Sequence, residues 1–177
     1  HLSHILEMID RAGLPARAAE RARTVFRKLA EAEAAVHGTS PEEVHFHEVG
    51  AIDSICDVLG ACVALELLGV DRLACSAIPL GSGRIECDHG VMPVPAPATA
   101  RLLRGCLTCP GPNPGEATTP TAAALLASLC EAQGPPPALR LGAVGHGAGT
   151  REGDPAANVL RVFLGEADSA GEVDAVV

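Results

Sequence analysis

The sequence predicts an α/β fold, one mixed domain in which helices pack on a mixed sheet. Three observations predict it. Apolar residues recur at three-four spacing over residues 16–36, the period of one helix face. Short apolar runs at residues 72–80, 84–87, 139–144 and 158–164 read as strands. Helical and extended segments alternate along the chain, the order of a layered α/β architecture.

Length and composition set the frame for these elements. A chain of 177 residues fits one domain with a sizeable core, here expected over residues 1–165, with 166–177 an acidic tail or linker. Apolar residues make up 47% and charged residues 20%, with no uninterrupted apolar run of the length a bilayer requires, so no membrane span is expected. His1 stands where a start Met would, and no charged-then-apolar leader follows, so the start reads as a cut within a longer protein.

In chain order, Ala18, Ala22, Val25, Leu29, Ala32 and Val36 define the buried face of the first helix, and Gly38 stops it. Arg17, Arg21, Arg23, Arg27 and Lys28 fall outside that stripe and read as its solvated face. Residues 44–49 read as a short extended piece. Residues 53–68 form a helix apolar almost all round, hence expected to be buried. The strands at 72–80 and 84–87 are joined by Gly81-Ser82-Gly83, a turn signal. Pro93, Pro95 and Pro97 make a stiff connector into a helix near residues 98–104. Thr119-Pro120 opens the next helix, Thr as N-cap and Pro at the first helical position, running to about Glu131.

Charge and cysteine usage exclude several functions. Twenty-two acidic residues against 13 basic ones give a net charge of −9, and there is no Trp or Tyr. Neither phosphate neutralisation nor base stacking is provided for, so nucleic acid is not the expected partner. The seven cysteines, an odd number in apolar surroundings, do not form a secreted disulfide framework. They read as buried thiols of a cytoplasmic protein. Cys106 and Cys109 form one C-x-x-C, but a structural zinc site needs a second pair that the chain lacks.

The chemistry concentrates between His45 and Asp57. Side chains alternate along an extended segment, so His45 and His47 point to one side, as two imidazoles sharing a metal must. Asp53 and Asp57 are four apart, on one face of a helix. A carboxylate pair at the edge of a buried helix is costly without a partner, and a cation is the simplest partner. Asp53 as a helix cap and Asp57 as a dipole partner are the competing structural roles. Mixed imidazole and carboxylate donors suit nickel, manganese, iron or zinc more than calcium.

Two further places could hold a substrate. His89, in Asp88-His89-Gly90, stands at a strand end beside the proline connector, where a cleft residue and a turn histidine are equal alternatives. Thr118, Thr119 and Thr121 put hydroxyls at a helix N-terminus, which favours phosphate; plain capping is the alternative. Gly145-His146-Gly147-Ala148-Gly149 lacks the spacing of a dinucleotide loop, although its glycines permit close approach of a ligand.

Six collinear motifs then carry a family resemblance. His45-Phe46-His47-Glu48-Val49-Gly50-Ala51-Ile52-Asp53-Ser54-Ile55, Pro79-Leu80-Gly81-Ser82-Gly83, the segment from His89 to Thr99, Thr119-Pro120-Thr121, the Gly145 to Gly149 run and Asn158-Val159-Leu160-Arg161 resemble the LarC family of nickel-insertion proteins. The resemblance implies a CTP-dependent nickel chelatase (cyclometallase, lyase class). Such an enzyme inserts nickel into pyridinium-3,5-bisthiocarboxylic acid mononucleotide, forming the nickel-pincer cofactor of lactate racemase while CTP is cleaved to CMP and pyrophosphate. It implies nickel, with manganese or magnesium accompanying CTP. It also implies a separate C-terminal domain of the same protein for the nucleotide, and a homo-oligomer at full length. On this reading His45, His47, Asp53, Asp57 and His89 are metal ligands, and Thr119, Thr121, Ser82 and Gly147 contact the mononucleotide. The chain departs from the family pattern at Ala122, where Gly is common, at His146, where an aromatic is common, and at Cys106 and Cys109. A noncatalytic metal-binding or scaffolding module and a metal-dependent hydrolase are the alternatives the same ligands allow.

Overall fold

The structure is a computed structural model that describes residues 1–46, 52–87, 90–150, 156–167 and 173–176. The chain opens with helix α1 (Leu2–Arg11), which buries Leu2, Ile5 and Ile9. These are spaced three and four apart, yet ten residues are too few for the period to stand out in the sequence. Helix α2 (Ala16–His37) follows the predicted bounds almost to the residue. Gly38 ends it at φ 69°, left-handed backbone that glycine adopts without strain, and donates its N–H to the Ala34 carbonyl.

Helix α2 is the centre of the molecule. Residues Ala18, Ala19, Ala22, Val25, Phe26, Leu29, Ala30, Ala32 and Ala34 are buried, an arc much wider than one stripe, because other helices surround it. The small side chains of its alanines let those helices approach closely. Of the basic residues expected to be solvated, Arg27 is exposed and pairs within α2 with Glu20, while the other four tie α2 to its neighbours. Arg17 pairs with Glu66 and Asp71, each at 2.5 Å. Arg21 donates to the Val70 carbonyl at 2.7 Å, Arg23 to Asp10 at 2.6 Å and Lys28 to the Ala127 carbonyl at 2.6 Å.

Helix α3 (Ile52–Leu67) has the expected extent but not the expected burial. Only Val58 and Cys62 are fully buried, while Ile52 is 81% and Leu67 79% exposed. Helix α2 covers one side of it, and uniform hydrophobicity alone does not bring a partner to the other.

Strand β1 (Arg72–Cys75) and β2 (Ile78–Pro79) divide what reads as one strand, and they join different sheets. Strand β3 (Gly81–Ser82) then β4 (Arg84–Cys87) and β5 (Gly90–Pro93) follow, with β4 and β5 forming an antiparallel hairpin. The glycine pair at 81 and 83 therefore does not join partner strands. Gly81, at φ +88°, sits where a Cβ would collide with the Gly115 carbonyl, and a Cβ on Gly111 would come within 2.5 Å of the Gly81 Cα. This is a close crossing of backbones. Helix α4 (Pro97–Leu102) starts on the last proline of the connector, and β6 (Thr108–Cys109) pairs in parallel with β2. Strand β7 (Gly115–Glu116) pairs with β3, and helix α5 (Pro120–Leu129) follows.

Strands β8 (Ala132–Gln133), β9 (Leu139–Ala148), β10 (Val159–Ala167) and β11 (Val173–Val176) complete a five-stranded sheet of order β8-β1-β11-β10-β9. It is mixed: β1 runs parallel to β8 and β11, while β10 is antiparallel to β9 and β11. The region expected as an acidic tail thus differs in structure. Glu166 and Ala167 close β10, and the Val173–Val176 segment hydrogen-bonds between β1 and β10. Its Val-Asp-Ala-Val sequence is too short for alternation to mark it as a strand.

The fold is mixed α/β, as predicted. The principal core lies among the five helices with Cys75 and Ile78, and a smaller one joins Val70 and Leu73 to Leu65, Leu129, Val162 and Leu164, where helix ends meet the sheet. Among the described residues no helix is long and apolar enough to cross a membrane.

Candidate metal and substrate site

The segment carrying His45 is fixed by the turn before it. Beyond Gly38, the hydroxyls of Thr39 and Ser40 both donate to Glu43 Oε2 at 3.1 Å, and the Glu43 N–H returns to the Ser40 carbonyl. These bonds hold the Glu43 carboxyl below the ordinary carboxylate range, the Ser40 hydroxyl contributing most. Val44 is buried and Phe46 packs against the principal core, so the intervening His45 faces outward and is exposed. That is the alternation an extended segment imposes. His47 and Glu48 lie outside the described residues, as does His89.

His45 meets His1, which the sequence reading did not connect with it. Its ring centroid is 4.0 Å from that of His1, and His1 lies 6.2 Å from His4. His1 and His4, three apart at the start of a helix, are the spacing that could have signalled a shared face had α1 been recognised. An open pocket of about 420 Å³ lies beside this corner, between α1 and α2, with Arg27, Glu31 and Glu42 as its charged walls.

Asp53 and Asp57 stand in the first turns of α3, both exposed. Asp53 Oδ1 accepts the Ser54 N–H at 2.8 Å, a local bond at the helix start. Exposure removes the argument that their burial demands a cation, since a solvated carboxylate incurs no desolvation penalty. Among the described residues no three His, Cys, Asp or Glu side chains converge on one point.

The threonines divide by role. Thr118 is buried and donates to the Pro79 carbonyl at 2.7 Å, tying the start of α5 to β2. Thr119 is the N-cap expected from sequence, its Oγ1 accepting the Ala122 N–H at 3.3 Å. Its hydroxyl proton is not used in that bond. Thr121 is half-buried in the first turn, and Ser82 is exposed on β3. Gly147 lies in β9 opposite Leu160, and a Cβ there would meet nothing within 4 Å, so crowding does not require glycine at that position.

Among the described residues the cysteines supply no second centre. Six of them, Cys56, Cys62, Cys75, Cys106, Cys109 and Cys130, are free thiols; Cys62 and Cys75 are buried as expected, whereas Cys56 is exposed and the other three are half-buried. Burial pushes the Cys62 thiol up to about 11, against a smaller downward pull from Arg21, and burial also raises Cys75 and Cys130. Such thiols are poor nucleophiles and poor metal ligands at neutral pH. The structure therefore offers an exposed imidazole corner at His45, two exposed carboxylates at the start of α3, and a capped helix N-terminus at Thr119.

Comparison with known proteins bears on all three. A family profile described as nickel insertion protein matches residues 1–177. A relative in Geobacter sulfurreducens described as a nickel insertion protein is 50% identical across all of this chain, which covers 46% of that relative. One in Geobacter sp. strain M21 with the same description is 49% identical with the same shares. The pyridinium-3,5-bisthiocarboxylic acid mononucleotide nickel insertion protein of Staphylococcus epidermidis is 46% identical over 95% of this chain and 42% of that protein. The chain thus spans about half the length of the curated relatives it matches. No solved structure matches.

Proposed function

The chain belongs to the nickel insertion protein family, and from that premise we propose that it forms the metal-receiving and acceptor-binding part of an enzyme inserting nickel into pyridinium-3,5-bisthiocarboxylic acid mononucleotide. The observation that carries this reading is the 46% identity, over 95% of the chain, to a relative named for that substrate. The finer activity is also proposed: CTP cleaved to CMP and pyrophosphate by the full-length protein, manganese or magnesium with the nucleotide, and the nickel-pincer cofactor of lactate racemase as product. CTP binding on a separate domain, a homo-oligomer at full length and a cytoplasmic location belong to the same proposal.

Nickel here is cargo. His45 and His47 receive it, because neutral imidazole binds nickel well yet gives it up to softer sulfur donors. Asp53 and Asp57, ionised and exposed, complete or guide the ion, and His89 is a further donor. The mononucleotide phosphate lies at the start of α5. There the Thr119 hydroxyl proton is available while its oxygen caps the helix, and Thr121 contributes from the first turn. Ser82 and Gly147 bound the same acceptor.

A chimera tests the reading: this chain replaces the matching segment of the Staphylococcus epidermidis protein, and nickel insertion is followed by absorption and mass spectrometry with CTP and the mononucleotide. We expect insertion in the chimera, and a loss of at least about a hundredfold when His45 and His47 are both changed to Ala, the scale of removing first-sphere donors. A folded chimera that binds nickel but inserts none, beside an active parent, would leave only a metal-binding module. Turnover of a simple ester would favour a hydrolase.

A further inference from the structure

Two imidazoles, His1 and His45, meet at one corner of the helical unit with His4 farther off, and only His45 belongs to the site proposed above. His1 precedes α1 as its N-cap and His4 lies in its first turn. His45 arrives from the segment after residues 41–43, and its ring stands 4.0 Å from the His1 ring with 54° between the planes. That angle is not face-to-face stacking. Both residues are exposed, so burial does not press the rings together either. Two nitrogens bound at right angles to one ion, with bonds of about 2.1 Å, stand about 3 Å apart, which places the ring centres about 4 to 5 Å apart. The His1 and His45 rings have that spacing.

From this geometry we infer that His1 shares a nickel ion with His45, so that the receiving site joins α1 to the segment after α2. The inference rests on the reading of His45 as a nickel donor. His4, 6.2 Å from His1, is a neighbour and not a third donor, since among the described residues no three such side chains converge. Positions left to water are open to the sulfur atoms of an acceptor, and the ion leaves without a rigid cage being dismantled. The adjoining pocket carries two carboxylates, Glu31 and Glu42, against one cation, Arg27, a net negative wall that suits a dication.

The experiment is calorimetric titration of the chain with nickel chloride, alongside X-ray absorption of the nickel-loaded protein. His1→Ala should weaken nickel binding at least tenfold and lower the imidazole count by one. His45→Ala should do the same, and the double variant should bind no more than threefold weaker than either single one, because either change destroys a shared site. His4→Ala should stay within threefold. A Gly-Ser extension ahead of His1 should also stay within threefold; a large loss would assign the α-amino group as donor and overturn the role of the ring. Losses that multiply in the double variant would mean separate ions and would also overturn it. If His1→Ala binds normally while His45→Ala does not, this inference fails and the proposed function stands. If both bind normally, the reading of His45 fails as well. Circular dichroism verifies that each variant folds, which the exposure of both side chains leads us to expect.

Discussion

Cys62 lies on the buried side of α3, where burial pushes its thiol from an ordinary value of 9.0 up to about 11 while Arg21 pulls weakly the other way. The unfolded chain therefore releases this proton first. Stability is intact below about pH 8.5 and declines as pH rises to about 11, because the unfolded state gains thiolate that the folded state resists. Cys75 and Cys130 shift in the same direction. Urea midpoints measured at about pH 8 and about pH 10.5 should fall, and Cys62→Ala should reduce that fall while costing roughly 1 kcal/mol at neutral pH. An equal fall in the variant would remove Cys62 from the account. The thiols illustrate what single residues disclose: an apolar sequence context indicated burial correctly for Cys62 and Cys75, but Cys56 is exposed and Cys106, Cys109 and Cys130 are only half-buried. The aspartates illustrate the opposite. Asp53 and Asp57 share a helix face as their spacing requires, but their burial was inferred from neighbours in sequence, and it depends on what packs across space. The contact of His45 with His1 was illegible for the same reason, since it joins residues from the two ends of a helical hairpin.

Local signals decide elements well where the chemistry is local. Thr119-Pro120 marks a helix start because a hydroxyl accepts an N–H three residues on and proline needs no N–H there, and α5 begins in that way. Thr119→Ala should cost about 1 kcal/mol in urea unfolding, whereas Thr119→Ser should retain most of it. A variant lacking the hydroxyl but as stable as the parent would mean that the 3.3 Å cap bond is not formed in solution. Signals that depend on a partner decide elements poorly. The glycines at 81 and 83 were legible as special backbone positions, yet not as a crossing of β3 against the Gly111 to Gly115 stretch, because that partner lies some thirty residues away in sequence. The uniform hydrophobicity of α3 likewise predicted the helix and its length, but not that Ile52 and Leu67 stay largely exposed.

At the scale of the molecule, the α/β class was legible because helix and strand periods differ. The sheet order was not, since strand pairing is set by long-range contacts that no local pattern encodes. The sharpest case is β11. It bonds in parallel to β1 on one side and antiparallel to β10 on the other, and so it is the hydrogen-bonded link between the short strands beside α5 and the long β9/β10 hairpin. Among the described residues the hairpin is also tied by the side-chain contacts of Val162 and Leu164 with the smaller core and, at its far end, by Asn113, which donates to the Ala156 carbonyl and accepts the Ala156 N–H, each at 3.0 Å. Ending the chain after Ala167 should therefore free one edge of β10 and one of β1 without touching the principal core among the helices. Amide hydrogen exchange should show faster exchange at residues 160 to 166 and 72 to 75, while α2 keeps its protection, since local opening follows the loss of local bonds. Unchanged protection on both edges would mean that residues 168–177 behave as the loose acidic tail their composition suggests. Loss of protection throughout α2 as well would mean that the sheet and the helical core unfold as one unit, and that the division into two cores has no energetic counterpart.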